Sequence, residues 1–219
     1  MKKTIFLLTS FFYFFKMPAQ VLRDEVSGKI YYNVSNANVE GTPYLHDDWR
    51  PSFITYAGGL QVKNVMLKFD LYNHLPLFLR NDSVFQFVNE VIGFIIYNPE
   101  GDSSIFRKGF PKLDNITPDT YLQVLTDGPV KLLKYTVKTR SERKEFNSAV
   151  AITEFSKPLG AFYTFSGSNL KRLKKGEEGL KECIPSTHWQ QVSKYIKEAG
   201  LNLKKEADLV KIFLFNDSL

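Results

Sequence analysis

The stretch SFITYAGGLQVKNVMLKFDLY, residues 52–72, contains two runs rich in β-branched and aromatic residues on either side of Gly58-Gly59. Runs of this composition favour β-strands. Two glycines between them favour a tight hairpin, because glycine adopts the positive φ angles that two-residue hairpin turns require. The stretch therefore predicts an antiparallel pair formed by Ser52–Tyr56 and Leu60–Tyr72.

The second run of this hairpin changes phase along its length. Side chains alternate between the two faces of a strand, so residues of one parity share a face. A β-bulge near Asn64 adds one residue and brings both parities to the same face. We predict that bulge, with six apolar residues on the buried face: Leu60, Val62, Val65, Leu67, Phe69 and Leu71.

Similar runs continue along most of the chain and are separated by turn residues. Asn81-Asp82 and Asp127-Gly128 are typical of tight hairpins. Val91–Tyr97 is an uninterrupted apolar run and predicts a buried strand. The other predicted strands are Ile30–Val34, Leu75–Arg80, Val84–Val88, Ile105–Phe110, Tyr121–Thr126, Val130–Thr139, Phe146–Phe155, Gly160–Phe165 and Leu170–Leu173.

The period changes from two to about 3.6 residues beyond the last strand, which predicts helices. A short helix is expected over Glu177–Ile184, and a clearer one begins at Pro185-Ser186 and stops at Gly200. The last helix, Lys204–Phe215, has an apolar stripe that continues to Asn216 and includes Leu209, Ile212 and Phe213. The fold class is therefore α+β: mostly an antiparallel β-sheet meander, which a curved half-barrel would satisfy, followed by short C-terminal helices.

The N-terminus has the order of charges and apolar residues that is typical of a secretory signal peptide. Lys2 and Lys3 precede the apolar run Ile5–Phe15, and Ala19 offers a small residue for cleavage. The run is shorter than the roughly twenty apolar residues that a membrane-spanning helix needs. We therefore expect residues 1–19 to be removed, residues 20–175 to form the β domain and residues 176–219 to pack as a helical segment on or beside the sheet. The expected location is periplasmic or secreted, and a retained membrane anchor is the weaker alternative.

Charge and cysteine content argue against a nucleic-acid-binding protein and against a fold held together by disulfides. The formal net charge of +6 falls to +3 without Lys2, Lys3 and Lys16, which leaves no strong basic excess for nucleic-acid binding. The single cysteine, Cys183, cannot form a disulfide within its own chain, so packing must stabilise the fold. We interpret Cys183 as a small apolar residue buried beside Leu180 and Ile184.

The sequence contains no motif for nucleophilic hydrolysis, phosphate binding or zinc binding. His46, His74 and His188 stand far apart and show no metal-ligand spacing. We therefore assign no catalytic residue, no cofactor-binding residue and no metal ligand, and we expect no cofactor. The basic cluster of Lys171, Arg172, Lys174 and Lys175 is interpreted as a solvated face because Glu177 and Glu178 follow it directly.

One loop, Tyr44 to Trp49, is chemically dense. Asp47 or Asp48 would serve as a general acid or base beside the two aromatic rings in a functional interpretation. In the structural interpretation, which we favour, the carboxylates cap a turn and the rings pack against the sheet.

Several segments of the chain together carry a resemblance to known proteins: Gly41–Leu45 with Trp49, Val65–Tyr72, Lys108–Pro111, Val124–Gly128, Val130–Lys134 and Tyr195–Asn216. In this order they resemble a family of uncharacterised exported proteins of Gram-negative bacteria with envelope-rich genomes. The resemblance implies export and a layout of strands followed by helices, and it assigns no activity and no ligand residues.

These observations lead to an expected function of a general kind. We expect a non-enzymatic binding or structural component of the cell envelope, whose curved sheet offers a concave apolar surface to a hydrophobic ligand or an envelope protein. It would not be an integral membrane protein after signal cleavage. The alternative is a hydrolase of envelope material that uses acidic groups around Asp47, Asp48 and Asp70.

Overall fold

The computed structural model describes residues 26–31, 38–144 and 151–219. The expected signal peptide, residues 1–19, lies outside them, as do parts of the predicted strands Ile30–Val34 and Phe146–Phe155. The described strands are β1 Gly28–Ile30, β2 Val39–Glu40, β3 Arg50–Tyr56, β4 Gln61–Asp70, β5 Leu75–Arg80, β6 Ser83–Phe87, β7 Val91–Tyr97, β8 Ser103–Arg107, β9 Leu122–Thr126, β10 Lys131–Val137, β11 Arg140–Lys144, β12 Ala151–Phe155, β13 Leu159–Ser166 and β14 Asn169–Arg172. The described helices are α1 Glu177–Lys181, α2 Ser186–Glu198 and α3 Glu206–Asp217.

The larger sheet has eleven strands in the order β1-β6-β5-β4-β3-β7-β8-β9-β10-β13-β14, and every pairing in it is antiparallel. The predicted hairpins are confirmed: β3 pairs with β4, β5 with β6, and β9 with β10. Asn81 and Asp82 both have positive φ, as a two-residue turn that follows the strand twist requires. The α+β class with a mostly antiparallel sheet is thus confirmed, and the sheet is open rather than closed.

The predicted bulge lies at Asn64. Ser52 is opposite Val65 and Ile54 is opposite Val62, so β4 has one more residue than β3 between the two pairs. Asn64 has positive φ, in the left-handed conformation that asparagine tolerates better than most residues. Val62 and Val65 are consequently both buried. The prediction for Leu60 was wrong: it ends the turn before β4 starts and is 50% exposed.

The first half of the large sheet, β1 and β3 to β8, curves strongly around an aromatic core. The ring of Phe69 on β4 lies 5.1 Å from that of Phe106 on β8 and 5.2 Å from that of Phe94 on β7. Strands β4 and β8 are separated by β3 and β7, so in a flat sheet their side chains would stand three strand spacings apart, out of contact. We call this part the half-barrel. Its concave face, expected from sequence to receive a ligand or partner, is filled by the protein's own side chains.

The second half, β9, β10, β13 and β14, is covered on both faces. On one face, Leu132 of β10 packs in a cluster with buried residues of the helices, among them Val192, Ile196 and Phe213. On the other face, Leu133 packs under the loop between β8 and β9, which contributes residues such as Ile116. The predicted stripe of α3 is confirmed, since Leu209, Ile212, Phe213 and Asn216 are all buried.

A small second sheet departs from the predicted meander. Its order is β11-β12-β2, and β12 pairs with β2 in parallel, with Thr153 opposite Val39. Neither Arg140–Lys144 nor Val39–Glu40 is among the strands predicted from sequence. All five residues of β11 are exposed, so the strand has no apolar alternation to reveal it.

The short helix α1 depends on two glycines. Gly176 precedes the helix with positive φ, a conformation that side-chain-bearing residues rarely adopt. A Cβ on Gly179 would overlap the backbone carbonyl of Lys174. Glycine at 179 therefore allows α1 to approach the preceding chain closely, and α1 ends at Lys181 rather than at the predicted Ile184. No described helix is both long enough and apolar enough to cross a membrane.

Candidate functional site

The loop from Thr42 to Trp49 is fixed to the sheet by backbone bonds and by one lysine. The Leu45 amide donates to the carbonyl of Phe69, and the Leu71 amide donates to that of Pro43, each at 2.9 Å. Lys138 is only 8% exposed, and its Nζ donates to the carbonyl oxygens of Thr42 and Tyr44, each at 2.8 Å. Burial lowers the pKa of Lys138. The loop is thus an ordered part of the fold.

The two aromatic rings of this loop already hold a cation. Nζ of Lys68 lies 4.9 Å from the ring centre of Tyr44 and 5.0 Å from that of Trp49. Such cation–π contacts stabilise a side chain at the sheet surface. The two rings therefore pack against a side chain of β4 and do not form an open platform on which a ligand could stack.

Two of the three carboxylates proposed for the hydrolase alternative, Asp48 and Asp70, have structural partners. Asp70 is 1% exposed, and its oxygens accept bonds from the amides of Tyr72 and Asn73 and from Nδ2 of Asn73, at 2.8 to 2.9 Å. Asp48 pairs with Nε of Arg50 at 3.0 Å, and this bond lowers the pKa of Asp48. Asp70 therefore caps the turn that follows β4, whereas Asp48 pairs with a side chain rather than with the backbone amides expected from sequence.

The three histidines lie in different surroundings. The ring of His74 stacks on Tyr135 at 5.1 Å between ring centres and meets the edge of Phe69 at 5.7 Å. Burial lowers the pKa values of His46 and His74.

Nδ1 of His188 lies 3.1 Å from Oδ1 of Asn216. Within residues 26–31, 38–144 and 151–219, no three side chains of metal-binding type come together.

Cys183 is half-buried rather than buried, which corrects the interpretation from sequence. Its Sγ accepts a hydrogen bond from Oγ1 of Thr164 at 3.3 Å. This contact joins the segment after α1 to β13.

A concave site lies at the end of the large sheet, beside the edge strand β14. It is a groove of about 730 Å³, which we call the edge groove. Its floor is apolar and includes Phe162 of β13 and Leu173, whose amide donates to the carbonyl of Phe162 at 2.9 Å. Leu203, from the connection between α2 and α3, forms another part of the lining. The complete lining is Gly160, Ala161, Phe162, Arg172, Leu173, Lys174, Lys175, Leu203 and Lys204.

The edge groove includes basic residues for which the sequence predicts a solvated face. Arg172, Lys174 and Lys175 line its rim, whereas Lys171 lines a different groove next to Cys183. In the sequence, the apolar Leu173 lies directly beside this basic cluster, and that neighbourhood was the local indication of a groove. Lys204 completes the rim from a later segment of the chain, which no local pattern indicates.

A second, smaller apolar groove lies on the convex face of the half-barrel. It has a volume of about 360 Å³. Phe53, Ile95 and Ile105 are neighbours in the strand register and line it. Gly93 lies in the same lining and has no side chain to fill the space above its strand. Lys108, at its margin, is paired with Glu90 at 2.8 Å.

Comparison with protein-family models, with curated proteins and with solved structures finds no match to this chain. The grooves are therefore the features of this structure that bear on its function.

Proposed function

We propose that the protein is an exported, non-enzymatic binding protein of the cell envelope that holds a hydrophobic ligand in the edge groove. One observation carries the proposal: an open cavity of about 730 Å³ whose floor is formed by Phe162, Leu173 and Leu203. Small-molecule sites are typically concave, mostly apolar and between about 300 and 1,000 Å³. The export included in this proposal is supported by the signal-peptide pattern of the N-terminal sequence.

The groove is favoured over the other apolar surfaces for structural reasons. The concave face of the half-barrel is packed with aromatic rings such as Phe69 and Phe94 and is closed to ligands. The groove on the convex face has about half the volume of the edge groove. A small hydrophobic molecule suits the edge groove better than an envelope protein does. Stable protein interfaces usually bury more than about 1,000 Å² of surface, and the groove offers a smaller surface than that.

Gly160 allows a direct test by filling the groove. It precedes Phe162 by two residues on β13 and lines the groove with it. A Cβ at Gly160 would lie 3.4 Å from Cε of Lys134 and 3.6 Å from the carbonyl oxygen of Tyr135, so it meets no backbone clash. The variant Gly160→Leu should therefore fold and occupy part of the cavity. Thr55→Leu, which fills the smaller groove, is the matched control.

The probe is N-phenyl-1-naphthylamine, an uncharged fluorophore that brightens in apolar surroundings, titrated against the purified protein without residues 1–19. We expect saturable binding, and we expect Gly160→Leu to weaken it by at least about tenfold, the equivalent of about 1.4 kcal/mol. Thr55→Leu should bind as the parent does. A parent protein that shows no saturable binding, or a Gly160→Leu variant with unchanged affinity, would overturn the proposal.

A further inference from the structure

The rim of the edge groove is basic, in contrast to its floor. Among the described residues that line it, four of nine are lysine or arginine and none is acidic: the basic ones are Arg172, Lys174, Lys175 and Lys204. A cleft lined by charges of one sign with apolar walls focuses the electrostatic field and attracts ions of the opposite sign. The charge of the rim therefore bears on which hydrophobic molecule would enter.

Two of these charges are neutralised by neighbours outside the groove. Nζ of Lys174 lies 2.8 Å from Oε1 of Glu182, and this bond raises the pKa of Lys174. Nη1 of Arg172 lies 3.7 Å from Oδ2 of Asp114. Lys175 and Lys204 form no ion pair within the described part of the chain. The uncompensated positive charge at the groove thus belongs to these two lysines.

We infer that the ligand is a single-chain anionic amphiphile, with its apolar chain along Phe162, Leu173 and Leu203 and its acidic headgroup at Lys175 and Lys204. This inference rests on the proposed function and specifies the class of ligand. The two lysines come from separate segments, one after β14 and one between α2 and α3, so a headgroup between them receives donors from both. An ammonium group offers three donors and suits carboxylate or phosphate oxygens.

An uncharged amphiphile would satisfy only the floor. It would bury its apolar chain but leave the ammonium groups of Lys175 and Lys204 without an anionic partner. Charge-assisted hydrogen bonds are roughly twice as strong as neutral ones. The groove therefore discriminates by charge among molecules of equal chain length, and a small anion without a chain gains nothing from the apolar floor.

The test compares decanoate with 1-decanol as competitors for bound N-phenyl-1-naphthylamine, with inorganic phosphate as a third competitor. We expect decanoate to displace the dye at a concentration at least about tenfold lower than 1-decanol, as one charge-assisted contact would provide. Phosphate at matched ionic strength should not displace it. The double variant Lys175→Gln, Lys204→Gln should bring the two ten-carbon compounds within about threefold of each other.

The variant Lys63→Gln is the control for net charge. Lys63 is exposed on β4 and has no ion pair in the described residues, so its loss changes the total charge without touching the groove. It should keep the preference for decanoate. Equal potency of decanoate and 1-decanol on dye-bound protein, or displacement by phosphate, would overturn the inference and leave the proposed function standing. Failure of the dye to bind at all would instead remove the proposed function.

Discussion

The two halves of the large sheet bury their apolar residues in different ways. The half-barrel curls on itself, so rings from strands that are distant in the sheet order meet in one core, as Phe69 and Phe106 do. The second half is covered by separate segments, the helices on one face and the loop before β9 on the other. The rings of the half-barrel fill its concave side, whereas the connection between α2 and α3, which supplies Leu203 and Lys204, leaves a groove between itself and the edge of the sheet. The comparison explains why the candidate site lies beside β14.

The largest effect should come from the core of the half-barrel. Phe94 is 1% exposed and contacts the rings of Phe69, Phe106 and Tyr121. Phe94→Ala should lower the free energy of unfolding by about 3–5 kcal/mol, because it leaves a cavity that the packed rings cannot close.

Phe53→Ala is the matched control, since Phe53 is half-buried on the opposite face of the adjacent strand. It should cost only about 1 kcal/mol, in proportion to its smaller buried area. Urea denaturation curves measure both values. Equal losses in the two variants would show that the two faces of the half-barrel do not differ as described.

A smaller effect is expected where the helical segment meets the edge groove. Gly179→Ala places a Cβ against the carbonyl of Lys174, and backbone must move to admit it. We expect a loss of about 1–3 kcal/mol, typical of overpacking, although alanine is the better helix former. Dye binding should weaken as well, because the displaced chain includes Lys174 and Lys175.

Glu178→Ala, one residue earlier on an exposed position, should change neither stability nor dye binding appreciably. Urea denaturation and dye titration give the two readouts. A Gly179→Ala protein as stable as the parent would contradict the close approach of α1 to the chain before it.

The smallest effect concerns His74, which lies between the two halves: its ring meets Phe69 of the half-barrel and stacks on Tyr135 of β10. Neither ring nitrogen has a hydrogen-bond partner among the described residues. Burial lowers the pKa of His74, so in acid the unfolded chain binds a proton at this residue that the folded chain does not. Stability from neutral His74 is complete above the unfolded pKa of about 6.5 and decreases as the pH falls below it.

His74→Phe keeps an aromatic ring between the two halves and removes the titration. The variant should lose less stability than the parent between about pH 7.5 and pH 5.5, as measured by urea denaturation at each pH. His46 also has a lowered pKa but is present in both proteins, so the difference between them isolates His74. Identical pH dependence of the two proteins would show that His74 is not held neutral by its surroundings.

Local signals predicted much of this fold. Gly58-Gly59 and Asn81-Asp82 are hairpin turns because their φ angles are encoded by residue type. The bulge at Asn64 was predictable because the apolar residues change parity along the strand, and the strand register must keep them on the buried face. Strand β11 was missed because its residues are all exposed, and β2 because it pairs with β12, a strand far away in the sequence.

The candidate site was less accessible to sequence reasoning than the fold. The basic residues around Arg172 were recognised, but a run of charges next to Leu173 is the same for a solvated face and for the rim of a groove. Leu203 and Lys204 distinguish the groove from a solvated face, because tertiary packing brings them to the rim from another segment. The curvature of the half-barrel was anticipated, but its filling by aromatic rings depends on contacts between distant strands.

The buried amine of Lys138 has a consequence for resistance to redox chemistry. It joins chain segments 94 and 96 residues apart through two carbonyl oxygens, a role that extracellular proteins often give to a disulfide. A link of this kind is indifferent to thiol reagents and to oxidising enzymes. The loop that carries Tyr44 and Trp49 should therefore keep this anchorage whatever the redox state of its surroundings.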